Sequence, residues 1–152
     1  MKDVFYVGMQ LLLFLFYVLW DQPFWELQLP TIFYYISWPL LIFAVVLFVY
    51  ALWNLRHSLS PYPSPKEHAK LKTKGAFAFS RHPIYSAIII GLSAWSILQE
   101  NINQMLISFL LLIFFYIKAR YEEKLLKSKF DEYRSYQEQT GMLFPKSLRL
   151  RL

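Results

Sequence analysis

Residues 32–55 read IFYYISWPLLIFAVVLFVYALWNL, with no charged side chain anywhere in the run. A helix needs roughly 20 apolar residues to cross the hydrocarbon core of a bilayer, so this stretch spans with length to spare. Pro39, near its start, is tolerated as a kink inside a membrane helix. Outward from it, Val4 to Trp20 is also uncharged and just long enough. Ile84 to Leu98 and Ile102 to Ile117 are shorter. On length alone they would also suit core helices of a soluble protein, and their place beside the first two makes them spans. Only Gln99, Glu100 and Asn101 separate them, which predicts a tight helical hairpin. The expected fold is an all-α integral membrane protein with about four transmembrane helices (spans about 4–20, 32–55, 84–98 and 102–117). A loop over 56–83 and a C-terminal helix and tail over 118–152 complete this single membrane domain.

Composition agrees. Apolar residues make up 57% and charged residues 17%, against about 45–50% and about 25% in soluble domains. The chain has no cysteine, which excludes disulfides, thiolate metal sites and cysteine nucleophiles. His57, His68 and His82 are too scattered for a zinc site, and no metal is expected. The first span is not expected to be a cleavable signal, since Asp3 follows Lys2 at once and no small-residue cleavage site closes the apolar run.

All 16 Lys and Arg residues fall on one side of a four-span topology: Lys2, six over residues 56–83, and nine from Lys118 onward. The segments after Trp20 and after Leu98 hold none. The positive-inside bias therefore puts both termini and the 56–83 loop in the cytoplasm. It also accounts for the net charge of +6 through anionic lipid headgroups; no nucleic-acid motif accompanies the charge, and no nucleic-acid partner is expected. Trp20, Trp25, Tyr34, Tyr35, Trp38, Tyr50 and Trp53 sit near span ends, as an aromatic belt would.

Polar chemistry concentrates in two of these basic segments. In the first, Pro61, Pro63 and Pro65 preclude a helix, Gly75 marks a stop or turn, and Arg81-His82-Pro83-Ile84-Tyr85 opens the third span. Pro83 suits a first helical turn, and a helix amino terminus beside Arg81 and His82 can receive an anion. The plainer alternative is a set of interfacial side chains at a helix start. The second segment is Lys118-Ala-Arg120-Tyr-Glu122-Glu123. Its spacing lets Lys118 meet Glu122 and Arg120 meet Glu123 on one helix surface. Ionisable groups at a membrane edge are also candidates for function. Leu125, Leu126, Phe130, Tyr133 and Tyr136 continue a helical packing stripe that ends near Gly141, with Pro145 beyond.

Gly75-x5-Arg81-His82-Pro83-x-Tyr85, then Glu122-Glu123-x2-Leu126-x3-Phe130-x2-Tyr133-x2-Tyr136 and Pro145, resembles the isoprenylcysteine carboxyl methyltransferases and related phospholipid methyltransferases. The resemblance covers about residues 56–148. It implies a membrane-embedded enzyme that uses S-adenosyl-L-methionine in a cytoplasmic pocket, with a lipidic or prenylated substrate entering from the bilayer. Carried over by position, Lys70, Leu71, Lys72, Phe77, Arg81, His82, Pro83, Ile84, Tyr85 and Glu122 would bind the cofactor. Lys118 falls where that family has an arginine that reads the substrate carboxylate; Arg120 is nearby, and Glu123 or His82 would take a proton from an amine acceptor. Departures are Ala87 and Asp131 where glycine is common, and Ala69 where histidine is usual. Lys118 itself matters most, because lysine lacks the bidentate fork of arginine. Two other readings remain at this point: an NADPH-dependent membrane reductase of the steroid-reductase type, which shares a His-Pro-x-Tyr element, and a catalytically inactive membrane scaffold.

Overall fold

A computed structural model describes residues 2–25, 27–56 and 71–146. The described residues form six helices: α1 (Lys2–Leu19), α2 (Thr31–Leu55), α3 (Ala76–Phe79), α4 (Pro83–Leu98), α5 (Ile102–Lys129) and α6 (Tyr133–Gln139). Three of them, α1, α2 and α5, are long and apolar enough to cross a membrane, and α4 is a shorter apolar helix. The outward faces are apolar, the reverse of a water-soluble protein: Val46 is 61% exposed and Leu19 68%. The seven belt aromatics are all exposed. The chain is an all-α membrane protein.

The long helices pack side by side in the order α2, α4, α5, α1. Lipid is as apolar as leucine, so helices in a bilayer gain little from hydrophobic burial and associate through close van der Waals packing of small residues. The α2–α4 seam follows that rule. Ser37, Ala44 and Ala51 recur every seventh position and are buried on α2. Ala87 and Ala94 are buried on α4, with Gly91 between them. A side chain begun at Gly91 would already meet the Ala44 methyl at 3.4 Å.

The far end of the bundle is held by hydrogen bonds. Asn101 caps α5, its Oδ1 accepting from the backbone N–H of Asn103 and Gln104 at 3.0 and 3.1 Å. Its amide also donates to the carbonyl of Asp21. Asn103 Nδ2 donates to Gln22 O at 2.6 Å, and Glu100 Oε1 accepts from Leu29 N–H at 3.0 Å. The connection between α1 and α2 is thereby clasped to the α4–α5 hairpin.

At the near end, Gly75 leads into the single turn of α3. Its φ of +68° is a left-handed conformation that glycine adopts without strain. A Cβ there would stand 2.1 Å from Asn54 Oδ1 on α2. At about 1.5 Å per residue α5 is about 42 Å long, longer than the roughly 30 Å hydrocarbon core. Its charged C-terminal part therefore projects beyond the bilayer.

The helical stripe expected to run unbroken towards Gly141 is interrupted. Phe130 is extended (φ −128°, ψ 112°), and α6 starts at Tyr133. The break folds the aromatic stripe back, so that Tyr133 and Tyr136 bury against Phe77 with Leu71, Leu126 and Phe130 around them. A straight helix would have left two tyrosines without that contact.

Overpacking a close seam costs about 1–3 kcal/mol. Gly91→Leu is expected to lower the unfolding midpoint in detergent accordingly, whereas Val46→Leu on the lipid face leaves it unchanged.

Candidate active site at the mouth of α4

Pro83 occupies the first turn of α4, with His82 as the residue before it. The backbone just upstream does not stay open. Arg81 N–H donates to Gly141 O at 2.9 Å, and His82 N–H to Met142 O at 3.1 Å. Ser86 Oγ, one turn into α4, donates to Leu143 O. The C-terminal segment is thus strapped across the helix entrance. Gly141 makes this possible, because a Cβ there would fall 1.8 Å from Phe144 O.

Arg81 and Glu123 form a buried ion pair, Nε to Oε1 at 2.6 Å, with side chains 6% and 5% exposed. The guanidinium also donates to the carbonyls of Gln137 and Thr140. Glu123 Oε2 accepts from Gln137 Nε2 at 2.7 Å. These polar groups, taken out of water, are compensated by one another.

Glu122 is the more open carboxylate of the two. Tyr85 O–H donates to its Oε1 at 2.5 Å, and His82 Nδ1 lies 3.3 Å from its Oε2. The His82 and Tyr85 rings are parallel at 5.4 Å, and Tyr85 stacks in turn on Phe115 at 4.5 Å. His82 Nε2 is buried without a hydrogen-bond partner and lies 3.6 Å from Glu123 Oε1. Burial pulls the imidazole pKa down, but the carboxylates of Glu122 and Glu123 outweigh it, and the pKa sits above its ordinary 6.5.

Lys118 is buried on the same side. Its ammonium donates to Gln10 Oε1 on α1 at 2.7 Å and lies 5.2 Å from the Tyr85 ring centroid. The local pairs expected along α5 are not formed. Lys118 turns to α1 rather than Glu122, Glu123 turns to Arg81, and Arg120 lies exposed against the hydroxyl of Tyr116. Long-range partners in a dry interior outweigh exposed helix-surface pairs, which contribute only about 0.3–0.5 kcal/mol.

Of the residues singled out from sequence, Arg81, His82, Pro83, Tyr85, Lys118, Glu122 and Glu123 come together here. Ile84 faces the other way, packed with Leu47, Ala51 and Ala87. Leu71 and Phe77 belong to the Tyr133–Tyr136 cluster. Lys72 is exposed, and Lys70 lies outside the described residues. Sequence reasoning missed Gln10, Gln137 and the 140–143 carbonyls. Gln10 carried one usable signal, as the only amide within the run from Val4 to Trp20.

A helical membrane protein with a buried Arg–Glu pair, a shielded imidazole and a slightly exposed carboxylate gathered at one end is built like a membrane-bound enzyme. The chain matches the phospholipid methyltransferase family model over residues 32–133 and belongs to that family. It is also 27% identical over 148 residues to a methanethiol S-methyltransferase of Pseudomonas sp. (strain GM41(2012)), an alignment covering 90% of this chain and 56% of that protein. The chain thus spans little more than half the length of this curated relative.

Removing one partner of a buried ion pair costs about 3–5 kcal/mol, so Glu123→Ala is expected to lower the unfolding midpoint far more than Arg120→Ala. The raised His82 pKa means that the folded state favours the imidazolium. That contribution is full below about pH 6.5, the ordinary histidine value, and is lost as pH rises through the folded pKa. Melting across pH 5–9 should show a decline at the alkaline side in wild type that is flattened in His82→Gln.

Proposed function

We propose that the chain transfers a methyl group from S-adenosyl-L-methionine to a lipidic acceptor, an isoprenylcysteine-type carboxylate or similar anion, at the cytoplasmic face. The observation that carries this reading is the Tyr85–Glu122–His82 cluster beside the buried ammonium of Lys118. Family membership supports the chemistry, and the one-sided Lys/Arg distribution supports the face.

The residues present fit a cationic cofactor. Glu122 offers a carboxylate held in place from both sides, aromatic faces lie next to it, and His82 Nε2 has an unspent hydrogen-bonding position. When bound, S-adenosyl-L-methionine supplies a methyl group that needs no further activation. The chain's own work is positioning and the exclusion of water. Tyr85 and His82 orient Glu122, and Phe115 closes the floor beneath Tyr85. Lys118 holds an anionic acceptor head. A carboxylate acceptor needs no general base, which suits Glu123, whose oxygens already accept from Arg81 and Gln137.

A small thiol is the second reading. The relative's name supports it, and a thiolate would satisfy the same Lys118 ammonium.

Calorimetry on the purified chain should show binding of S-adenosylmethionine and S-adenosylhomocysteine and none of NADPH. His82→Ala combined with Glu122→Ala should weaken it by about tenfold or more, the loss of charge-assisted hydrogen bonds. Absence of binding to either sulfur ligand would sink the methyltransferase reading; binding that survives the double substitution would discard this site.

A further inference from the structure

The first helix brings the side-chain amide of Gln10 against the site. Gln10 Oε1 accepts from Lys118 Nζ at 2.7 Å. Lys118 is 2% exposed, and among the described residues no carboxylate lies within the 4.0 Å of an ion pair. Glu122 and Asp3 act on it only from farther away. An ammonium carries three donors; one is spent on a neutral amide, and the ring face of Tyr85 takes part of the charge at 5.2 Å. A buried cation without a paired anion is costly, and among the described residues two of its donors have no hydrogen-bond acceptor. In the Arg81–Glu123 pair the same problem is solved within the chain; at Lys118 it is not.

We infer that Gln10 and Lys118 together form the head-group end of the acceptor site, which takes an anionic head, and that Gln10 sets this preference by aiming the ammonium. The inference rests on the acceptor reading above and extends it: Gln10 is a positioning residue on α1, the helix that packs against α5 beside Lys118. An amine-headed acceptor, protonated at neutral pH, is repelled by the same ammonium. Carboxylate and thiolate share the required chemistry.

The test uses the full chain in detergent and titrates a farnesyl thioether ending in a carboxylate, its neutral carboxamide and the corresponding primary amine. A separate arm titrates an aromatic thiol, which ionises well below the lysine range, below and above its ionisation. The carboxylate should bind at least about tenfold tighter than the carboxamide, the yield of one charge-assisted contact, and the amine no tighter than the carboxamide. Alternatively, the aromatic thiol's affinity should rise about tenfold on ionisation, which identifies a small thiol as the source of the anion. Gln10→Glu, which supplies the missing countercharge, should bring whichever ratio is seen to within about twofold. If Gln10→Glu does not yield a monodisperse protein, Gln10→Met keeps the length, removes the acceptor oxygen and should reduce the ratio about threefold. The proposal is overturned if neither anion outbinds its neutral form, if the amine binds best, or if the ratio survives both substitutions. Anion preference without S-adenosylmethionine binding would retain this site and remove the methyl-transfer reading. Cofactor binding without anion preference would do the opposite.

Discussion

The Arg81–Glu123 pair is the contact on which the near end of the molecule depends. It joins the entrance of α4 to the projecting part of α5 with almost no exposure to solvent. The same guanidinium reaches the carbonyls of Gln137 and Thr140, so a single side chain ties three parts of the chain together. With α4 and α5 held in that register, Tyr85 reaches Glu122 and the His82 ring lies parallel to Tyr85. A paired charge in a dry place is worth little as net stabilisation, because desolvation offsets most of the attraction. Its effect here is to make alternative registers of α4 against α5 costly, since each would leave a buried ion without its partner.

The middle and the far end of the bundle are held by different physics. Along their seam, α2 and α4 approach because Ala44, Ala51, Ala87 and Gly91 are small. At the far end, side-chain amides do the joining: Asn101 and Asn103 clasp the α1–α2 connection. Close packing of small residues needs no water to be displaced. Amide-to-carbonyl bonds contribute most where both groups would otherwise be buried unpaired.

Much of this was legible in the residues themselves. Uncharged runs disclose the helical membrane class. The three-residue break at Gln99–Asn101 discloses the hairpin, and Pro83 the start of α4. Glu122 and Glu123 stand out as carboxylates at a span end. Their partners were not legible, because spacing along a helix reports neighbours on the same helix only. Arg81 and Glu123 are 42 positions apart, and nothing local pairs them. Gln10 was hidden for the opposite reason: one amide in an apolar run does not disturb the signal of a span. The break at Phe130 contains neither glycine nor proline, and it arises from the burial of Tyr133 and Tyr136 on Phe77, which exists only in three dimensions.

The strap across α4 also places this site in the order of synthesis. Arg81 precedes its acceptor Thr140 by 59 residues. At about 5–20 residues per second, a ribosome needs about 3–12 s to cover that interval. The hairpin is already made while the guanidinium still lacks these carbonyls. The site is therefore completed later than the α4–α5 hairpin that carries most of it. A nascent chain that stops short of Gly141 has its spans but no closed entrance to α4, so insertion and site formation are separable events in the life of this protein.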